Sequence, residues 1–405
     1  MSKGTFFTGQ PIFNQVLNFI PRGMVTEVAR EHKGDHYYKS FKTYEHLVTI
    51  LYAILNQCTC LREVTTGLLA WDQRIRHLGL VNHPRRSTIS DANRKRDSEI
   101  FEDIYHGLLR RYTSVLSDSR TVRRKNNVYL MDSTTIALFQ SILLGAGRNR
   151  NDGQRKGGIK VHTLLSASAD VPTMIRYSGG AANDVRFLKE VRLPEGSVVV
   201  FDKGYHSFRT YNQLSEQGII WVTRYRKRDI AHIQKRCEVT DYQKQQGVGS
   251  DHFVELGHDH NNQAIHVQAR IVGYRDPVSK QYFYFLTNNR ELSPLTIANY
   301  YQQRWQIETF FKRIKQNYPL QYFLGDNENA IKIQIWCVLI ADLILKVIKR
   351  GTRSTMAFSN IVGLIRLHLM TYMDLKSFLK APETSLIKQM KERNNQHSNP
   401  SLFSP

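Results

Sequence analysis

Four residues in the stretch YQQRWQIETFFKRIKQ, 301 to 316, have types and spacing suited to work on a phosphate. On a helix, Tyr301, Arg304, Glu308 and Lys315 fall within about 60° of one another. The apolar stripe Tyr300, Ile307, Phe311 and Ile314 runs beside them at core-facing spacing. An acid fixed among cations at the border of a core can hold a metal ion while the cations hold a phosphate. The helix start is marked by Ser293 before Pro294, an N-cap followed by proline at the first helical position. From there the segment contains no Gly or Pro until Pro319, so one unbroken helix is expected.

Two further carboxylates close apolar strands. NVYLMDS (127–133) reads as a strand ending in Asp132, and GSVVVFDKGY (196–205) as a strand ending in Asp202. The second is apolar without interruption, as expected of a central strand covered on both faces. If the two strands are neighbours, their carboxylates meet at one sheet edge, and Glu308 can join them from a packed helix. Three carboxylates with neither a cysteine nor a histidine cluster favour a hard, oxygen-loving cation, and Mg²⁺ fits because it binds through few carboxylates plus substrate phosphate. Two such ions can clamp an in-line displacement at phosphorus. The plainer uses are a turn cap for each Asp and an i,i+4 pair for the Glu. The joint pattern favours the site.

The elements that must position these residues follow. KTYEHLVTILYAILNQ (42–57), CLREVTTGLLA (60–70) and HPRRSTISDANRKRDSEIFEDIYHGLLRRY (83–112) have helical periodicity, so residues 1 to about 120 read as all-helical. In the last of these, Ser87, Thr88 and Ser90 are cap candidates among clustered bases, which favours phosphate contact at a helix start. After residue 125 come further strands, GIKVHTLLSA (158–167), PTMIRYS (172–178) and GIIWVTRY (218–225), and helices at 184–191 and 208–217. The segment 225–293, with AIHVQARIVGY and QYFYFLTNN, reads as a β-rich insertion. Lys160 and His162 alternate with apolar neighbours and read as exposed on one strand face. His206 is open to two uses, approaching a metal or capping the next helix. The loop GAGRNRNDGQRKGG (145–158) is Gly-rich and basic without P-loop spacing, and is expected to be mobile and to touch DNA backbone.

Composition narrows the partner. The 405 residues hold 57 Lys+Arg against 35 Asp+Glu, a net charge of +22. This excess points to a polyanion. A membrane surface is the weaker option: the long apolar run IQIWCVLIADLILKVIK (333–349) contains Asp342 and Lys346 and reads as a buried helix. MSKGTFFTGQ has no apolar core of signal-peptide type. The cysteines Cys58, Cys60, Cys237 and Cys337 lack zinc spacing, and a reduced, cytoplasmic protein without structural zinc is expected. The tail KQMKERNNQHSNPSLFSP reads as disordered.

Together these residues resemble the DDE transposases of bacterial insertion sequences, specifically the insertion-sequence-four family. That family carries Tyr, two residues, Arg, three residues, Glu, six residues, Lys, a spacing met by Tyr301, Arg304, Glu308 and Lys315. YLMDST resembles its first-aspartate strand and VVVFDKGYHSF its second, with Lys203 where Arg is more usual. The resemblance spans roughly residues 10–350 and includes the β-rich insertion and the helical front. It implies an α/β, ribonuclease-H-like mixed sheet with flanking helices. It assigns Asp132, Asp202 and Glu308 to two Mg²⁺ ions, with Mn²⁺ as a substitute, and Tyr301, Arg304 and Lys315 to phosphates at the transposon end. Trp221 and Trp305, considered as base-stacking aromatics, read as core residues.

The expected organisation is a helical DNA-binding domain (1–120), a ribonuclease-H-like core (121–224 and 294–350), the β-rich insertion (225–293) and a polar tail (380–405). The expected function is cutting at terminal inverted repeats and joining of 3′-OH ends to target DNA. The partners implied are double-stranded DNA and a second copy of the chain, in the cytoplasm at the nucleoid. The alternatives are a structure-selective nuclease on the same core and a non-catalytic repressor descended from a transposase.

Overall fold

The computed structural model describes residues 9–116, 127–137, 158–179, 185–260 and 263–387. Residues 145–157 of the Gly-rich loop and 388–405 of the tail lie outside the described residues. The helices are α1 (Ile12–Leu17), α2 (Arg22–Glu31), α3 (Thr43–Leu55), α4 (Leu61–Ala70), α5 (Asp72–Ile75), α6 (Arg86–Lys95), α7 (Glu99–Leu116), α8 (Val185–Glu190), α9 (Phe208–Glu216), α10 (Asp241–Gln245), α11 (Pro294–Gln303), α12 (Trp305–Asn317), α13 (Glu328–Thr352), α14 (Phe358–Leu367) and α15 (Leu375–Lys380). The strands are β1 (Val128–Ala137), β2 (Gly158–Ser166), β3 (Val171–Gly179), β4 (Val198–Phe201), β5 (Ile220–Arg224), β6 (Ala231–Arg236), β7 (Val248–His260), β8 (Gln263–Arg275) and β9 (Tyr282–Thr287). The chain forms two compact units, Ser117–Lys312 and a second made of Met1–Leu116 with Arg313–Pro405.

The first unit is built on one nine-stranded sheet, ordered β3-β2-β1-β4-β5-β9-β8-β7-β6. β1, β2 and β3 are antiparallel, whereas β1, β4 and β5 run parallel. This is a mixed sheet with flanking helices, as the resemblance implies. Every residue of β4, Val198 to Phe201, is buried, as a central parallel strand requires. α9 connects β4 to β5. Ser207 caps it by accepting from Thr210 N, and Tyr211 stacks on Trp221 at 4.5 Å and on Phe201 at 5.8 Å.

The segment 225–293 is continuous with this sheet. β9 pairs with β5, and β8, β7 and β6 extend the ladder outward. Sequence patterning finds β8 and β9 but not β6 or β7. β7, VGSDHFVELGHDH, has weak alternation and is held by its long pairing with β8. Inside that hairpin Arg270 donates from Nε and Nη2 to the two Asp251 oxygens, both at 2.7 Å, with both side chains buried.

The second unit is helical. α13 is buried on nearly all sides, packed against α3, α6, α7, α14 and α15. This is why the division falls inside α12, after Lys312, rather than at residue 350: the apolar helix takes its neighbours from the N-terminal helices. Asp342 is tolerated there because Lys346 (3.3 Å), Arg313 (3.5 Å) and the Tyr318 hydroxyl (3.4 Å) surround it. Among the described residues no helix is long and apolar enough to cross a membrane. The expected helix at 83–112 is two, α6 and α7. Ser87, Thr88 and Ser90 lie within α6, whose N-cap position is Arg85, rather than capping it. The chain breaks after α6 because Arg96 turns inward, buried, and donates to Phe41 O at 3.0 Å.

Candidate active site

The parallel register of β1 and β4 brings two acids together. Leu130 pairs with Val200 and Met131 with Phe201. The next step of the same ladder sets Asp132 beside Asp202, on one face of the sheet. β1 does not end at Asp132, as the sequence pattern implies. It continues to Ala137 because β2 pairs with it throughout, and only its pairing with β4 stops at Met131. Asp202 follows the last residue of β4 and opens a 3-10 turn over Lys203–Tyr205.

The same register removes two other residues from the site. Thr163 lies opposite Asp132 and shares its face, so His162 and Lys160 point to the other one. His162 is buried rather than exposed, with Nε2 at 2.7 Å from Ser178 Oγ and its ring 5.4 Å from Phe187. His206 neither caps the following helix, a task done by Ser207, nor contacts an acid of the cluster. Its Nε2 lies 2.9 Å from Asp229 Oδ2, and burial lowers its pKa.

The third acid comes from the helical segment after Ser293, which accepts from Thr296 N as an N-cap with Pro294 next. The expected single helix is broken at Arg304: Arg304 N donates to Tyr301 O (3.0 Å) and Ile307 N to Arg304 O (3.1 Å), a tighter i,i+3 turn. The break shifts the rotational phase. The buried residues become Ile297, Tyr301, Ile307, Phe310 and Ile314, while Tyr300 and Phe311 are half-buried. Trp305 lies opposite the Ile307 stripe and is 64% exposed, which corrects its expected core position; Trp221 is fully buried.

From α11 and the turn, two side chains tie the acids together. The Tyr301 hydroxyl donates to Asp202 Oδ1 at 3.2 Å. Arg304 donates from Nη1 to Asp132 Oδ2 at 3.3 Å and from Nη2 to Glu308 Oε1 at 2.7 Å. Phe285 packs on the Tyr301 ring at 4.9 Å, which fixes its direction. Burial raises the Tyr301 pKa to about 12, so its hydroxyl keeps its proton. Lys315 stands seven residues beyond Glu308 on α12 and is exposed, its pKa lowered by desolvation.

Asp132 carries the electrostatic mark of the cluster. Burial, opposed by the Ser133 N–H and Arg304 and helped by Asp202 and Glu308, raises its pKa to about 6. Among the described residues no three His, Cys, Asp or Glu side chains close around one point at metal-ligating spacing. Here a guanidinium spans Asp132 and Glu308 instead, and its Nε is buried without a partner. A cation already sits between the acids, and the donors are carboxylate oxygens only. Both observations fit a hard divalent ion.

Sequence reasoning missed the cleft beside Asp202. A cavity of ≈ 830 Å³ is lined by Asp202, Lys203, Arg224, Arg226, Tyr282 and Tyr284, among others. Arg226 donates to Lys203 O, which ties the basic loop to the aspartate loop. The run RYRKRD (224–229) was the available signal, all five residues before the final acid being basic or aromatic.

Two acids meeting at adjacent parallel strands and a third brought in by a helix are the arrangement that the resemblance to DDE enzymes implies. Residues 123–343, more than half the chain, match the family described as Transposase DDE domain, and the chain belongs to it. It is a DNA transposase of the insertion-sequence-four family. The transposase-like protein y4zB of Sinorhizobium fredii is 26% identical over 310 residues, 74% of this chain and 81% of that one. A transposase-like protein of insertion sequence element IS4SA in Synechocystis is 25% identical over 272 residues, 65% of this chain and 71% of that one. A solved piggyBac transposase synaptic complex with hairpin DNA aligns over 99% of this chain and 85% of that chain, with 13% identity and a TM-score of 0.42. Residues 8–81 match the Domain of unknown function DUF4372. The family carries DNA as substrate and dependence on a divalent metal.

Proposed function

We propose that the enzyme cuts DNA at the terminal inverted repeats of its own insertion sequence and joins the freed 3′-OH ends to target DNA. Asp132, Asp202 and Glu308 are the catalytic metal ligands. Two Mg²⁺ ions, replaceable by Mn²⁺, supply Lewis-acid stabilisation of the phosphoryl transfer when bound. Tyr301 orients Asp202, and Arg304 and Lys315 carry positive charge for phosphates at the element's end. The helical region 1–120 binds the ends, the extended strands of 225–293 carry DNA contacts beside Asp202, and two copies act together because two ends must be handled. The work is done in the cytoplasm, on nucleoid DNA.

The observation that carries this reading is the β1–β4 register, which sets Asp132 beside Asp202 with Glu308 linked to Asp132 through Arg304. The test is incubation with a labelled duplex spanning the element's boundary, in Mg²⁺ or in EDTA. Mg²⁺-dependent cutting at the boundary, followed by joining to a second duplex, is the expected result. Cutting without joining would indicate a nuclease, and tight binding without cutting in Mg²⁺ or Mn²⁺ a repressor.

A further inference from the structure

α6 presents a face that the proposed chemistry does not use. It buries Ile89, Ala92 and Asn93 and exposes Arg86, Ser87, Ser90 and Arg94. Those four fall within about 100° of helical arc. Exposed Arg62, on α4, lines the same cleft of ≈ 710 Å³. The acid in that cleft, Asp91, pairs with Arg94 at 2.9 Å, an exposed ion pair that another anion can replace at little cost.

The buried side of α6 is held by a polar network. His46 Nε2 donates to Asn93 Oδ1 at 2.7 Å, and Asn93 Nδ2 donates to Leu324 O at 3.0 Å. Asn329 Nδ2 donates to Asn93 O at 2.9 Å and to Arg96 O at 2.7 Å. A ten-residue helix is marginal alone. Here its roll and direction are fixed from beneath, and its outer face combines arginines with short hydroxyls. Short side chains let a helix approach a surface closely, and arginines beside them meet phosphates.

We propose that this face docks on duplex DNA at the element's ends. α6 lies in the major groove, Arg62, Arg86 and Arg94 bind phosphates, and Ser87 and Ser90 face the base edges. A groove about 12 Å wide admits one helix. The inference rests on the proposed function in one respect, that this chain recognises its own ends.

The test is fluorescence anisotropy of the full chain with an end duplex and a scrambled duplex, in EDTA so that cutting does not enter, across a salt series. In the variant carrying Arg62→Ala, Arg86→Ala and Arg94→Ala, the log–log salt slope should fall by roughly 2.7, about 0.9 for each phosphate that is no longer neutralised. Replacing the same three residues by lysine should retain the slope. Ser87→Leu with Ser90→Leu should abolish the preference for the end duplex and leave the slope unchanged. Circular dichroism melts check that each variant is folded. Unchanged slope and unchanged preference in folded variants would overturn the proposal, while leaving boundary cutting by the wild-type chain as the separate test of the proposed function. A wild-type chain that binds neither duplex would overturn both.

Discussion

Acid should unfasten the helical unit at one residue, His46. Its imidazole is fully buried, and its Nε2 donates to Asn93 Oδ1. The direction of that bond follows from Asn93, whose Nδ2 is committed as a donor to Leu324 O, leaving Oδ1 as acceptor. Protonation must then occur at His46 Nδ1, which is buried and has no partner. Burial first, and Arg96 second, lower the His46 pKa from 6.5 to about 3.

The sign follows from linkage. The folded pKa lies below the unfolded one, so the unfolded chain binds more protons between about pH 3 and 6.5. The contribution is fully present above that window and is lost as pH falls through it. With one proton per chain, the loss is about 1.4 kcal/mol per pH unit, or about 2.7 kcal/mol between pH 7.5 and 4.5. Other groups titrate in the same range, so the measurement is a difference. Urea unfolding at pH 7.5 and 4.5 is compared for the wild type and His46→Gln, whose amide can donate to Asn93 without titrating. The variant should be less stable at neutral pH yet lose about 2.7 kcal/mol less on acidification. Parallel losses in both proteins, or a His46 ring titrating near 6.5 by NMR, would refute the reasoning.

Three further outcomes are expected. Asp132→Asn, Asp202→Asn and Glu308→Gln should each abolish Mg²⁺-dependent cutting while leaving end-duplex affinity within a few-fold, and a variant that still cuts at the wild-type rate would show its residue to be misassigned. Tyr301→Phe keeps the ring against Phe285 and removes the hydroxyl bonded to Asp202. A hydrogen bond to a charged group contributes about 1.5–3 kcal/mol, so cutting should slow roughly 10- to 100-fold with the melting temperature little changed. Asp251→Asn leaves Arg270 buried against a neutral partner, and chemical denaturation should register a loss of about 3–5 kcal/mol.

The parts of the fold legible in the sequence are those governed by local rules. Ser293-Pro294 is read as a cap because the required chemistry sits in adjacent residues. VVVF is read as a central strand because a strand covered on both faces has no polar position to show. The break at Arg304 was not legible, since no Gly or Pro marks it. It accompanies a guanidinium held by Asp132 from a strand 172 residues away and by Glu308. The burial of His162 was hidden for a similar reason: its partner, Ser178, lies on the neighbouring strand, and register alone decides which face a strand residue takes. The cleft beside Asp202 needed the loop carrying Arg226 to fold back onto Lys203.

The Arg304 break also explains how one short segment serves two opposed demands. Acids brought together in a largely buried place are costly to ionise, and the raised pKa of Asp132 expresses this, through burial first and the charges of Asp202 and Glu308 second. An unbroken helix would place Tyr301, Arg304 and Glu308 on one edge but also keep Tyr300 and Phe311 in the buried stripe. Breaking at Arg304 lets α11 bury Tyr301 with its hydroxyl on Asp202, while α12 buries Ile307 and Phe310 and still delivers Glu308. The residue at the break spans Asp132 and Glu308 and offsets their charge. On the proposed function, Asp132 and Glu308 would hold a divalent ion that supplies that neutralisation, and the Arg304 guanidinium would then be free to bind a phosphate. Arg304 would then serve as counter-ion to Asp132 and Glu308 before DNA binds and as a phosphate ligand afterwards, so Arg304→Ala should lower both thermal stability without metal and the rate of boundary cutting with it.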